Sequence, residues 1–421
     1  MSNFVINNCW CTGTNNPRVL PLDLDHKTAR QPHNRHRSTF HYTFQFFTAA
    51  FIAQMASRGI TKIFVVGGTG AQGIPVISGL VSDKKYQVRV LTRNRTSPRA
   101  KQLESLGNVE FVEGSFASEP DLRRGYRGCD GAYINIDGFN CGEKTETYWA
   151  VRAYELAIEE GIKFFVYGNL DYGYKKSGYN PKYRCGHYDG KGRIAEWVLF
   201  QNQFNQDRIK AAVFTTGPYI EMTISMGTPM SPTVEDGVLT WRVPLGSGAI
   251  PHVSLDDCAF YARWLFDNID KANGLDLEVA VEHVHYKDLA HAFEAVTGHP
   301  ALFIDVDLDT YWTKGPLSMA AELGGGYNSD PNDPAFMTIR QNFTGFWNLW
   351  KDSGKNQGII KRDYELLDKI HPNRIRNVEQ WFRRVNDQGI KDGRGSLWER
   401  VQPENMRPVL KMAEDGMKGS L

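Results

Sequence analysis

Four glycines crowd Lys-Ile-Phe-Val-Val-Gly-Gly-Thr-Gly-Ala-Gln-Gly, residues 62–73, directly after the apolar run Ile63 to Val66. Gly68, Gly70 and Gly73 fit G-x-G-x-x-G, while Gly67, Gly70 and Gly73 fit G-x-x-G-x-x-G. Either spacing prepares the same chemistry, the cradling of a diphosphate. One glycine lets the backbone turn sharply off a strand. Another lets it approach a pyrophosphate with no Cβ in the way, and Gly73 lets the next helix pack closely on the sheet. The turn and helix N-terminus, through Gly67, Thr69, Gly70, Ala71, Gln72 and Gly73, would then offer N–H groups and a positive dipole end to the phosphates. Glycines alone would also suit a ligand-free tight turn. A second strand at the expected distance, Gln87 to Thr92, favours a dinucleotide.

The end of that second strand bears on which dinucleotide. A site for NAD usually places an acid about 20 residues beyond the glycines, on the ribose 2′-hydroxyl. Here Thr92-Arg93-Asn94-Arg95-Thr96-Ser97-Pro98-Arg99-Ala100-Lys101 holds no acid and four basic residues. Guanidinium and ammonium groups suit a 2′-phosphate, which a carboxylate would repel. The expected cofactor is NADP(H), with Arg93 as first contact and Lys101 or Arg99 as second. Arg95 reads as a solvated loop charge.

These residues need a frame, and the chain supplies alternating strands and helices. Strands are expected at 108–112, 131–135, 163–167 and 210–214, and helices at 119–126, 144–161 and 193–203. Repeated βα units of this length imply an α/β fold, a Rossmann-type doubly wound parallel sheet covered on both faces. Its ligand should lie along the carboxyl ends of the strands. Asn135 ends the fourth strand there. Ser115 stands where many dinucleotide folds carry an Asp. Residues 55–216 read as this binding domain. Residues 217–330 read as a smaller α+β substrate-side region intertwined with it, and 331–421 as a helical C-terminal extension. In that extension Ile339, Phe343, Phe346, Trp347 and Trp350 share one helical face, expected to pack on the body of the protein. Arg374, Arg376, Arg383 and Arg384 read as solvated surface.

At 421 residues and a formal charge of +1, no global field argues for nucleic acid or a membrane. Six cysteines are scattered, only Cys9 and Cys11 lying close together, so reduced thiols and no metal site are expected. Residues 1–54 differ in composition and read as a disordered or non-native extension, the functional protein then starting at Met55, with a transit-like role as the alternative. The apolar run Phe40 to Gln54 is short for a membrane span. A cytoplasmic protein is expected, with the nucleus and N-terminal targeting left open.

Together, Gly67–Gly73, Leu91-Thr-Arg-Asn94, His187-Tyr-Asp-Gly-Lys-Gly192 and His252-Val-Ser-Leu-Asp-Asp257 resemble the NmrA-like family, a branch of the atypical short-chain dehydrogenase/reductases. The resemblance runs from about Lys62 to about Tyr311, and the tail is similar to an extension of some fungal members. It implies that Lys191 binds the nicotinamide ribose and that Tyr219, after Pro218 on the nicotinamide-side loop, lines the cofactor pocket. Typical short-chain dehydrogenases pair Tyr-x-x-x-Lys with a serine. This chain keeps Lys191 but has His187 at the tyrosine position, and Gly168-Asn169 where the serine would stand. His187 is thus either a proton donor titrating near neutrality or a hydrogen-bonded structural residue. Tyr188 would point elsewhere on a helix, and Tyr172, Tyr174 and Tyr183 are further phenols within possible reach.

Two functions fit. One is an NADP(H)-dependent oxidoreductase with a His187/Lys191 site, acting on an apolar small-molecule substrate such as a specialised-metabolite carbonyl or imine. The other is a non-catalytic NADP(H) sensor that binds a regulatory protein partner. A homodimer is compatible with either.

Overall fold

Strand β1 (Lys62–Val66) is apolar on both faces because both faces are covered. In the computed structural model, which describes residues 59–326, 330–411 and 421, Ile63 and Val65 face one helical layer and Phe64 and Val66 the other. The segment 1–54 lies outside the described residues. β1 is followed by α1 (Gly73–Val81), β2 (Gln87–Thr92), α2 (Pro98–Glu104), β3 (Val109–Glu113), α3 (Glu119–Tyr126) and β4 (Gly131–Ile134). Next come α4 (Gly138–Glu159), β5 (Phe164–Leu170), α5 (Gly186–Asn205) and β6 (Lys210–Thr216). Later strands are β7 (Thr233–Glu235), β8 (Val238–Val243), β9 (Ile250–His252), β10 (Asp276–Val279), β11 (Glu282–Val284) and β12 (Ala301–Asp305), with α6 (Leu255–Asp267) and α7 (Tyr286–Thr297) among them.

The main sheet is parallel, in the order β10-β6-β5-β4-β1-β2-β3. Val76, Ile77 and Leu80 of α1 cover one face with Tyr261 and Leu265 of α6. Leu122 and Tyr126 of α3, Ala153 of α4 and Ile194 of α5 cover the other. This is the doubly wound Rossmann-type sheet. Strand order reverses between β1 and β4, which opens a crevice at their carboxyl ends.

Two helices begin earlier than their apolar spacing predicts. α4 starts at Gly138, where the Asp137 side chain accepts from the Phe139 N–H at 3.0 Å, and it breaks helical geometry only at Gly142. α5 starts at Gly186 rather than at Arg193, although Gly186, Gly190 and Gly192 are poor helix formers. Burial overrides propensity there: Gly192 lies directly against the Tyr172 ring and Gly190 against Glu143.

Beyond the sheet, α8 (Ile339–Lys351) and α10 (Val378–Lys391) complete a third core with β8, β9 and α7, while α9 (Tyr364–Ile370) packs Leu367 into the sheet core beside α6. Phe343, Phe346, Trp347 and Trp350 of α8 are all buried in it, so the aromatic face packs on the body. α8 lies so close to the preceding chain that a Cβ on Gly345 would run into the Arg184 carbonyl. One buried ion pair ties this region to the sheet. Arg362 Nη1 and Nη2 donate to Asp171, just past β5, at 2.8 and 2.7 Å, with both side chains wholly buried. Arg374 corrects the solvated-surface expectation: it is buried, pairs with Asp368 at 2.7 Å and donates to the Val281 carbonyl at 2.7 Å. Arg376, Arg383 and Arg384 are exposed. No helix of the described residues is long and apolar enough to cross a membrane.

Candidate functional site

The glycine turn occupies the crevice between β1 and β4. Gly67 has φ +80°, and a side chain there would also strike the Asn135 carbonyl, so no other residue fits without moving backbone. The Gly70 N–H closes the turn onto the Gly67 carbonyl at 3.0 Å. Gly67, Gly70 and Ala71 keep partly accessible backbone, whereas Thr69, Gln72 and Gly73 are buried. No acid stands in the first turn of α1 and no side chain caps it, so its N-terminus keeps its positive end. The residues present fit a dinucleotide diphosphate.

Gln72 takes an unexpected part. Its carboxamide turns inward, where Oε1 accepts from Tyr133 OH at 2.9 Å and Asn135 Nδ2 at 2.7 Å, and Nε2 donates to Thr216 Oγ1 at 3.4 Å. Only its backbone is left for a phosphate. Asn135 passes the link onward, accepting from Lys191 Nζ at 3.1 Å. Lys191, on α5, also donates to the carbonyls of Ile136 at 2.8 Å and Gly168 at 3.3 Å and pairs with Glu146 Oε1 at 2.8 Å. A string of polar groups thus runs from the turn to Glu146. Glu146 is fully buried on α4; burial pushes its carboxyl up, against the pull of the Lys191 charge.

His187 lies one turn before Lys191 on α5. Its ring packs on Phe139 at 4.4 Å and Phe343 at 5.4 Å between centroids, and its Nδ1 faces the Asn342 carboxamide of α8, 2.8 Å from Nδ2 and 3.2 Å from Oδ1. Burial lowers its pKa to about 3, with the Lys191 charge acting in the same direction and the Asn342 bond opposing it. This corrects the expectation of an imidazole titrating near neutrality. A neutral ring can donate a hydrogen bond to a carbonyl but holds no spare proton at pH 7. The unfolded-chain histidine titrates near 6.5, so below that pH the unfolded state takes a proton that the folded state refuses. Stability tied to His187 is present above about pH 6.5 and falls by up to about 1.4 kcal/mol per pH unit toward pH 3. His187→Gln is expected to flatten the acid limb of a urea-unfolding series by up to one proton; an unchanged slope would place the titration elsewhere.

The other residues separate. Tyr188 is buried edge-on against the His187 ring at 4.8 Å and packs on Phe346 and Trp350. Tyr183 OH donates to Asp352 at 2.9 Å, Tyr172 lies beneath Arg193, and Tyr174 packs edge-to-face on Tyr179. Tyr219 is half-buried between the sheet core and the third core, and burial raises its phenol. Asn169, in the serine region, donates to Thr215 at 2.8 Å. Arg93 is half-buried at the end of β2, Arg99 half-buried, and Lys101 exposed on α2. Arg95 turns away to Glu104 and the Phe111 ring. Ser115 donates its N–H to Asp121 at 2.9 Å.

Glu146, Phe139 and Asn342 were not anticipated. Asn342 left a readable sign, a polar residue within the apolar face of α8.

The sequence model of the family described as NmrA-like family matches residues 60–328. The chain belongs to the NmrA-like family. Among curated relatives, an NmrA-like family domain-containing oxidoreductase of Aspergillus flavus, lnaB, is 25% identical over 325 residues, covering 72% of this chain and 96% of its own. NmrA, a negative transcriptional regulator solved in complex with NADP, superposes with a TM-score of 0.60 at 16% identity, covering 81% of this chain and all of its own. An NmrA structure in complex with NAD gives 0.59 at 15% identity, covering 81% and 99%. These likenesses agree with the NmrA-like sheet described above. The match leaves α8, α9 and α10 outside it, so Asn342 and Arg362 come from beyond the matched region.

Proposed function

We propose that this NmrA-like protein is an NADP(H)-dependent oxidoreductase acting on an apolar organic carbonyl or imine, with a non-standard His187/Lys191 site. The observation that carries it is the polar string Gln72–Asn135–Lys191, which leads from the glycine turn to the aromatic wall of Phe139, His187 and Phe343. Support for the cofactor comes from that turn and from the NADP and NAD complexes of NmrA. The choice of NADP(H) rests on Arg93 and the acid-free stretch after β2. When bound, the reduced dinucleotide would supply a hydride. Lys191 would hold the ribose hydroxyls, exchanging one of its protein acceptors for them. Neutral His187 would orient a substrate oxygen by hydrogen bonding, while Phe139 and Phe343 exclude water. An iminium substrate needs no protein acid, because it brings its own charge; that suits a site without the usual tyrosine and serine.

A second reading is a redox sensor that binds the same cofactor and regulates a protein partner. It is favoured by the engagement of Lys191 with Glu146 and by the neutral His187. NADPH oxidation with any carbonyl or imine supports the enzyme. Binding without turnover, together with a partner whose capture follows the NADPH/NADP+ ratio, supports the sensor.

The cofactor is tested by calorimetric titration of NADPH, NADP+ and NADH on wild type and Arg93→Ala. NADPH should bind more tightly than NADH, and Arg93→Ala should weaken NADPH by about ten-fold while leaving NADH unchanged, the loss of one charge-assisted contact. Equal affinity for NADH and NADPH would sink the 2′-phosphate assignment.

A further inference from the structure

We propose that Lys411 is a phosphate ligand of the dinucleotide site, delivered there by the C-terminal segment. The inference rests on the dinucleotide reading above and adds to it a residue outside the family match, which ends at residue 328. Lys411 Nζ donates to Thr69 Oγ1 at 3.2 Å, across 342 positions of sequence. Thr69 is the side chain at the middle of the glycine turn, so an ammonium group stands beside the place where diphosphate charge would arrive.

The placement is held by specific contacts. Ser225, in the loop beyond β6, donates its hydroxyl to the Arg407 carbonyl at 2.9 Å and accepts the Val409 N–H at 2.8 Å. One side chain thus grips the segment on both sides of residue 408. Met406 is buried, and Val409 and Leu410 pack against the third core. With the backbone fixed two residues earlier, Lys411 reaches the turn from an anchored base and lies half-buried.

Charge gives this geometry its meaning. A diphosphate brings two formal negative charges, and helix-terminal N–H groups answer them with partial charge only. Between Lys62 and Lys84 the sequence has no lysine or arginine, so the turn and α1 contribute no full positive charge of their own. On the nicotinamide side, Lys191 is already paired with Glu146. Lys411 brings a full positive charge to the turn from a distant part of the sequence. Because the diphosphate is common to both redox forms and to NAD and NADP alike, Lys411 strengthens all of them equally, unlike Arg93.

The test is calorimetric titration of full-length wild type, Lys411→Ala and Lys411→Arg with NADPH and NADP+ at two salt concentrations. Lys411→Ala should bind both nucleotides about ten-fold more weakly, with a shallower salt dependence. Lys411→Arg should stay within about two-fold of wild type, since the charge is retained. If Lys411→Ala folds poorly, Lys411→Gln keeps the reach without the charge and carries the same expectation. Alanine or glutamine variants that titrate like wild type, or more tightly, overturn the proposal while leaving the cofactor reading intact. A wild type that binds no dinucleotide overturns both.

Discussion

Arg362→Met should lower the unfolding free energy by about 3–5 kcal/mol in urea titration at pH 7, the usual cost of stranding one partner of a buried ion pair. Asp171 and Arg362 are both wholly inaccessible and joined by two hydrogen bonds. Removing the guanidinium leaves a carboxylate with Lys176, 3.6 Å away, as its remaining cation. The pH dependence is a second signature. Burial pushes the Asp171 carboxyl up, but the Arg362 charge and hydrogen bonds outweigh it and hold the group below its ordinary range. A depressed acid stabilises the fold above its unfolded pKa, and that contribution is lost as pH falls through the folded value. In Arg362→Met the carboxyl is no longer held down, and protonation relieves it. The gap between wild type and variant should therefore narrow as pH falls through the variant's raised carboxyl pKa, above the ordinary carboxylate range, down to the depressed wild-type value. Asp171→Leu combined with Arg362→Met should recover much of the loss, because two apolar groups leave no charge unpaired. A single variant within about 1 kcal/mol of wild type would refute the pair as the tie between sheet and C-terminal region.

Lys191→Met should weaken dinucleotide binding by about 10–100-fold, the loss of charge-assisted bonds to the ribose. It should also destabilise the apo protein, since Glu146 is then buried without its cation. These two effects can be separated. Adding Glu146→Gln to Lys191→Met removes the stranded charge, so the unfolding midpoint should recover while the affinity does not. Recovery of both would make Lys191 a structural residue. Undiminished affinity in Lys191→Met alone would remove it from the cofactor site.

The glycine turn was legible because its cause is local: Gly67 has positive φ, and the strand, turn and helix are adjacent in sequence. The centre of the sheet was legible for a related reason, since strands covered on both faces, such as β1 and β4, read as apolar runs. What the sequence hid lies at long range. Gln72 sits inside the glycine motif, but its side-chain partners are on β4 and β6, 61 and 144 positions away. Glu146 looked like any helix carboxylate until Lys191 was placed beside it. The early start of α5 was masked by three glycines whose packing partners come from other elements. Arg374 shared its sequence neighbourhood with exposed arginines and only the fold distinguishes it. His187 and Lys191 share α5, one turn apart, yet the protonation of His187 follows from its burial among Phe139, Phe343 and Asn342, which spacing cannot convey.

Asp171 and Arg362 are separated by 191 positions. On a ribosome adding roughly 5–20 residues per second, this interval is on the order of 10–40 seconds. Throughout it strands β1 to β5 exist without the guanidinium that the loop after β5 is built around, and for all but its last 20 positions without Asn342 beside the His187 ring. The nascent sheet must wait with that loop open to water, and a chain that stops early carries the glycine turn but not the groups that close over it. Quality control during synthesis should therefore fall on the last quarter of the chain: premature stops before Arg362 should yield degraded or chaperone-held product rather than a smaller working protein.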